Sequence, residues 1–209
     1  MLSLKNLMRR KVRTLLTLLG IAIGVAAVVV LSAFGNGIAD GFGGLGATGE
    51  GDLLVTQRDA PMLILSAIDT AVGDELAAMR GVEAVDGSVV SILQLPETPY
   101  FLVSGEDPRG FSIARYPVVA GRAVAARREI MLGRQSAENF ERAVGDKFPI
   151  NGVSYRVVGI YETGASFEDN GAVIPLTDAQ RAFDKRRQVS IFRVQLDDPG
   201  ERAAVQAAI

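Results

Sequence analysis

The residues able to do chemistry are few and restricted in type. The 209-residue chain contains no histidine and no cysteine. That removes the commonest general base, the commonest zinc ligand, any thiolate nucleophile and any disulfide framework. Carboxylates, serines and lysines remain. Acids adjoin at Glu106-Asp107, Glu168-Asp169 and Asp197-Asp198. Neighbouring side chains point to opposite faces of a strand, so such pairs usually decorate loops and do not converge as a glycosidase or calcium site. Of four lysines only Lys147 and Lys185 lie outside the N-terminal basic cluster, both in turn-like contexts, and Lys185-Arg186-Arg187 reads as a solvated loop. Ser104, beside Gly105-Glu106-Asp107, reads as a turn serine, and no G-x-S-x-G is present. Gly41–Gly46, GFGGLG, matches the spacing G-x-G-x-x-G. A dinucleotide-binding turn needs a strand before it and a helix after it. Here a long apolar run precedes and an extended segment follows, so the match is rejected; a P-loop motif is absent as well. The inventory points to no catalytic, cofactor-binding or metal site, and to a structural or interaction module.

The element that positions everything else is Leu15–Phe34, LLTLLGIAIGVAAVVVLSAF, within an uncharged run from Thr14 to Ala39. At about 1.5 Å rise per residue, twenty helical residues span about 30 Å, the thickness of the hydrocarbon core. Only a helix satisfies its own backbone in lipid, so 15–39 is expected to be a transmembrane helix. A cleaved leader has a shorter apolar core and a small-x-small cleavage site, neither of which fits Ser32-Ala33-Phe34-Gly35. Lys5, Arg9, Arg10, Lys11 and Arg13 precede the run without an acid among them, and Asp40, Glu50 and Asp52 follow it. Positive residues stay inside, which places residues 1–14 in the cytoplasm and the rest outside. With Leu4, Leu7, Met8 and Val12 at helical spacing, 1–14 reads either as an amphipathic segment in the headgroup layer or as an ordinary positive flank. On the helix, Thr17, Gly20, Gly24 and Ala27 form one small-residue stripe containing G-x-x-x-G, a surface on which another membrane helix can pack closely. Eight glycines in residues 35–51 suggest a flexible or bent connector over 40–51.

After the first thirteen residues the chain carries 17 basic against 24 acidic groups, a net of −7, which does not suit nucleic acid. Its pattern is that of an α+β domain over 52–209. Leu53–Gln57 reads as a strand. Ser66 and Asp69 read as a capping box for a helix that buries Ile68, Val72, Leu76 and Met79 and stops at Gly81. Strands are expected at Val89–Gln94 and Tyr100–Val103, a turn at Gly105–Pro108, a strand at Ile130–Leu132 and a helix over Gln135–Val144. Asn151-Gly152 between alternating apolar residues marks a hairpin whose Pro149 arm lies at an edge. A strand follows Asn170-Gly171 and ends at Pro175. Thr177 and Gln180 read as a capping box for a helix through Phe183. Phe192, Val194 and Leu196 alternate with Arg193 and Gln195 as a half-buried strand, and Asp198-Pro199 opens a last helix. The result is a split β-α-β lobe interrupted by a turn-rich, β-rich insert over about 106–175, two lobes in all. The last helix lacks a C-cap at Ile209, which reads as truncation.

The arrangement R-R-K-x-R-T-x-L-T-x-L-G-I-x-I-G-V-A-A-V-V resembles the start of MacB/FtsX-type ABC transporter permeases, with Arg9, Arg10, Lys11, Arg13, Thr14, Thr17, Gly20, Gly24 and Ala26 at matching positions. The outer part is similar to that family's periplasmic core domain. Its landmarks are the strand at 51–56, Gly81-Val82, Gly105-x-Asp107-Pro108, Gly121-Arg122, Val144-Gly145-Asp146 and Val157-Val158-Gly159-Ile160. The resemblance implies a permease subunit in the inner membrane, with three further transmembrane helices absent from this chain. It also implies a second permease protomer, identical or not, and an ABC ATPase subunit that couples ATP hydrolysis to movement of the outer domain, for export or for lipoprotein or lipid release. The stripe Thr17–Ala27 would then meet the missing helices or the second protomer. The residues alone also allow a single-span sensor or ligand-binding protein anchored in the bilayer.

Overall fold

The computed structural model describes residues 11–46, 53–96, 98 and 100–209, and no side chains for 11–13 and 34–46. Two compact units are present, 1–43 and 44–209. The first is helix α1, Lys11–Gly46. It continues seven residues past the expected end at 39, through GFGGLG. The connector expected over 40–51 is therefore helical as far as Gly46; residues 47–52 lie outside those described. Glycine opposes helix by only about 1 kcal/mol each, so it lowers the stability of such a stretch without forbidding it.

The second unit is one mixed sheet of nine strands with helices on its faces. In chain order its elements are β1 (Leu53–Val55), β2 (Ile68–Asp69), α2 (Ala71–Ala77), β3 (Val82–Leu93), β4 (Phe101–Glu106), β5 (Val118–Gly121), β6 (Glu129–Gly133), α3 (Arg134–Asn139), β7 (Lys147–Ile150), β8 (Val153–Tyr161), α4 (Ser166–Asp169), β9 (Gly171–Pro175), α5 (Leu176–Ala182), β10 (Gln188–Val189), β11 (Ile191–Leu196) and α6 (Arg202–Ala208). The sheet order is β1-β11-β3-β4-β9-β6-β8-β5, with β7 paired to β8 and a separate β2–β10 ribbon. The sequence pattern for an α+β domain holds, but the division into lobes runs elsewhere. The twelve residues of β3 form a single strand shared by both halves. Val82–Ser88 pairs with β11, and Val89–Leu93 pairs with β4. The insert joins the same sheet because β4 also pairs in parallel with β9. The boundary expected at Glu106 thus falls inside β4, and the exchange of partners occurs at Ser88–Val89.

Three apolar cores follow from strand alternation. One lies around Leu53, Leu76, Phe192, Val194 and Val205, and Ile68, Val72 and Met79 pack on it, as the helical spacing predicts. The capping box drawn at Ser66 is absent. Asp69 Oδ1 accepts from the Ala71 amide at 2.9 Å, and Ser66 Oγ accepts from the Gln57 amide at 3.0 Å. Tertiary pairing of Ile68–Asp69 with Gln188–Val189 removes those residues from the helix. The second core gathers Phe101, Phe140 and Phe148, with ring centroids 5.1–5.7 Å apart, beside Ile130, Leu132 and Ile174. The third, on the other side of the same strands, holds Met131, Val158 and Val173, with Tyr116 and Tyr161 edge to face at 5.1 Å.

Other expectations divide in the same way. The Asn151-Gly152 hairpin forms with both turn residues at positive φ, and β7 pairs only with β8, so the Pro149 arm is an edge. Helix α3 stops at Asn139, five residues short of Val144, where Glu141 turns into the left-handed region at φ 51°. Helix α5 starts without a side-chain cap, and Gln180 donates to the Gln188 carbonyl instead of closing a box with Thr177. Asp198 caps the last turn as expected, accepting from the Gly200 amide at 2.8 Å.

At the β5–β8 contact two glycines meet the opposite backbone. A Cβ on Gly159 would overlap the Arg122 carbonyl oxygen, and one on Gly121, at φ 74°, would overlap that of Val158. Backbone cannot yield as a side-chain tip does, so overpacking here costs about 1–3 kcal/mol. Gly159→Ala is expected to lower the thermal midpoint of the detergent-solubilised chain by several degrees, while Gly152→Ala, where a Cβ meets open space, loses only the strain of its positive φ. Equal melting of Gly159→Ala and wild type would show that the two strands separate freely.

Candidate functional site

Buried charged groups of the outer domain meet where β3 changes partners. Sequence alternation along β4 sends Phe101, Val103 and Gly105 to one face and Leu102, Ser104 and Glu106 to the other. Glu106 is consequently a strand residue, fully buried, and Ser104 is buried beside it; neither belongs to a turn as expected from sequence. The Glu106 carboxylate accepts from Ser88 Oγ and Ser104 Oγ, both at 2.6 Å, and from Tyr116 Oη at 3.3 Å. Burial raises its pKa, while the two serines and then Arg193 and Arg115 pull it down. Tyr116 is raised by burial first and by Glu106 next, so its phenol stays protonated and donates.

Two arginines face this carboxylate. Arg193 on β11, expected on the solvent side of a half-buried strand, is 3% exposed, and in register it stands opposite Asp86 of β3. Arg115 lies 3.4 Å from the buried Glu168 carboxylate. Asp86 in turn accepts from the Ser112 amide at 2.7 Å. One network thus joins β3, β4, β11 and the 112–116 turn. Glu168-Asp169, expected in a loop, is buried as well: Asp169 accepts from the Thr163 and Gly164 amides, and the Glu168 carbonyl accepts from Tyr161 Oη at 2.7 Å.

A second knot contains a serine–lysine pair that resembles catalytic chemistry. Lys185 Nζ donates to Ser190 Oγ at 2.8 Å and to the carbonyls of Ser66 and Ile64 at 2.7 and 3.0 Å. Lys185 is therefore a structural donor, not part of a solvated loop. Burial lowers its pKa. Ser190 Oγ has no exposure to a substrate, because the residue is fully buried and bonded to both the amide and the carbonyl of Val90. The pair is a staple between the 63–66 segment and the edge of β3. Among the described residues no group of three or more acids forms a metal-binding cluster.

The membrane-facing positions fall as follows. Thr14–Ala33 is long and apolar enough to cross a membrane, with a mean hydropathy of 2.7. Thr17, Gly20, Gly24 and Ala27 all lie on this segment of α1, and a Cβ placed on either glycine meets nothing within 4 Å. Lys11 and Arg13 lie in the first turns of α1; Lys5, Arg9 and Arg10, and with them the amphipathic segment expected over 1–14, lie outside the described residues up to residue 10. The residues that sequence reasoning missed, Glu106, Arg193 and Lys185, carried no local signal, because each owes its burial to a strand or segment distant in the chain.

The Glu106 carboxyl is held in its neutral-favouring environment only in the folded state, so its stabilising contribution is present below its ordinary value of 4.5 and is lost as pH rises through the folded value. Glu106→Gln keeps the shape and removes the titration. Thermal melts of wild type and variant from pH 4 upward should therefore show wild type losing ground to the variant as pH rises. A wild type that gains on the variant over that window would mean that the arginines outweigh desolvation.

With the geometry described, comparison with known proteins places it. The family model described as "MacB-like periplasmic core domain" matches residues 14–209. The macrolide export ATP-binding/permease protein MacB of Rhodospirillum rubrum is 27% identical over 221 residues, covering 94% of this chain and 34% of that protein. The pyoverdine export ATP-binding/permease protein PvdT of Pseudomonas entomophila is 30% identical over 188 residues, covering 80% of this chain and 29% of that protein. The chain spans about a third of the length of these relatives. In fold it is similar to the extracellular domain of the ABC-type transporter YknZ from Gram-positive bacteria, with TM-score 0.57, 16% identity, and 73% of this chain against 86% of that one. It is also similar to the periplasmic region of MacB from Actinobacillus actinomycetemcomitans, with TM-score 0.55, 13% identity, and 75% against 79%.

Proposed function

From the premise that the chain belongs to the MacB-like periplasmic core domain family, we propose that it is the N-terminal part of a permease subunit of an ABC exporter. The observation that carries this reading is that the match extends from Thr14 to Ile209. The membrane helix and the sheet domain are thus matched as one unit, as expected of a device that links the bilayer to an outer domain. The basic residues before the helix favour a cytoplasmic N-terminus in the inner membrane, and the acidic domain then lies outside.

Within this reading the chain itself is not catalytic. Its 209 residues hold no P-loop; in this reading an ABC ATPase hydrolyses ATP, and a second permease protomer completes the transporter. Mechanical coupling is the task left to this chain. ATP-driven closure on the cytoplasmic side displaces α1, and the outer domain responds. A single sheet that shares β3 between both halves and is crosslinked by the Glu106 network is suited to move as a body. In α1, the stripe Thr17–Gly20–Gly24–Ala27 supplies a close-packing surface for a neighbouring helix, where contact between backbones replaces the absent hydrophobic drive.

Tagged full chain recovered from source-cell membranes in mild detergent should bring an ABC ATPase with it. Gly20→Leu fills the groove and should reduce that co-purification several-fold while leaving membrane insertion intact. Recovery of the wild-type chain without any ATPase, in a preparation where it is inserted and folded, overturns the permease assignment. Undiminished co-purification of Gly20→Leu removes the stripe from the interface and leaves the assignment standing.

A further inference from the structure

We propose that the outer domain carries a binding site for a small phosphate-bearing polyanion in the concavity between Arg128, Lys147 and Arg156. Three observations converge on it. Lys147 of β7 stands directly opposite Arg156 of β8 in antiparallel register. Like charges in facing positions repel and destabilise a strand pair, the reverse of the usual cross-strand choice. Both side chains are exposed, and the acid facing Arg156 from β6, Glu129, is ion-paired with Arg122 instead.

Arg128 adds a third cation, and its backbone is set aside for the purpose. It adopts φ 59°, a conformation uncommon for a residue with a side chain. That turn is locked from both sides: its amide donates to the buried Asp178 carboxylate at 2.6 Å, and its carbonyl accepts from the Arg156 amide at 2.8 Å. Strain held by surrounding structure is characteristic of sites. Asp178 is a positioning residue here.

The third observation is charge balance. Among the described residues the side chains of Arg128, Lys147 and Arg156 make no ion pair, and the nearby acids are already engaged. Glu129 is held by Arg122 and by the Ala125 and Ala126 amides, the arginine and those amides depressing its pKa to about 2. Asp146 accepts from the Ala143 amide at 2.9 Å. Asp178 serves Arg128, Arg127 and Arg181. The three cations line a concavity of about 480 Å³ with Ser154 and Tyr155, in the size range of small-ligand sites. An adjoining hollow of about 310 Å³ shares Arg128 and Tyr155 and adds Arg127 and Arg181, both ion-paired with Asp178, which lines it too. Guanidinium forks and an ammonium lining one hollow match the several oxygens of phosphate groups. The phosphate belongs either to a free anion or to a lipid headgroup.

The probe is inorganic pyrophosphate, titrated at low salt into the full chain in micelles of an uncharged detergent. Saturable binding is expected. It should weaken at least roughly tenfold in the double variant Lys147→Gln, Arg156→Gln, and fall with added salt. Removing the same charge elsewhere, by Arg58→Gln with Arg80→Gln, should leave affinity unchanged. Without ligand the Lys147→Gln, Arg156→Gln variant should melt higher than wild type, since its repulsion is gone; that readout also shows that the variant folds. A water-soluble short-chain phosphatidic acid then separates the sources. Displacement of pyrophosphate by it assigns the site to headgroups, and no displacement assigns it to a free anion. Absence of saturable binding, or equal loss in the Arg58/Arg80 control, overturns the proposal.

Discussion

Taking a carboxylate out of water costs several kcal/mol unless donors and counter-charges replace the lost hydration. The outer domain bears part of that cost at Glu106, whose pKa burial keeps raised even though donors and counter-charges surround it. The donors come from β3 and β4, the counter-charges from β11 and the 112–116 turn. No two of these elements can shift relative to each other without exposing the carboxylate to an incomplete shell. A buried polar network of this kind adds little net stability compared with packed hydrocarbon, but it penalises alternative arrangements heavily. It stands at Ser88–Val89, where β3 passes from one strand partner to the next. The two halves of the sheet thereby keep one relative register.

The rest of the domain reinforces that joint from the side. Lys185 and Ser190 fasten the 63–66 segment next to the same strand. Strand β4 contributes at once to the β3 hairpin and to a parallel pair with β9, so the insert is not an appended lobe. Apolar cores lie on both faces of the β4–β9–β6 region. This construction opposes internal flexing of the sheet.

Much of this was legible in the chain. The uncharged run, the basic flank, the Asn151-Gly152 hairpin, the Asp198-Pro199 cap and the apolar face of α2 are all local signals, written within a turn or two of sequence. The landmark glycines were legible as landmarks, and the structure supplies their reason in the backbone contact between Gly121 and Gly159. The errors share one cause. Ser66-Asp69 and Thr177-Gln180 both have capping-box spacing, yet distant pairing of β2 with β10 and the short approach from β9 into α5 decided otherwise. Glu106 and Arg193 were read as exposed because charged residues usually are.

By itself the sequence determined the class of this protein: one helix apolar enough to cross a membrane, preceded by a basic flank, then an α+β domain, in a chain without histidine or cysteine. Those properties depend on composition and short-range periodicity, which do not change with the path of the chain. Tertiary structure alone decided which charges are buried together, which strand is shared, and which cations stand facing without partners. These depend on residues a hundred or more positions apart being brought into register, as Ser88 is with Ile191 and Leu53 with Val194. Register is a cooperative property of the whole sheet, since a slip of one residue exchanges every side chain between its faces.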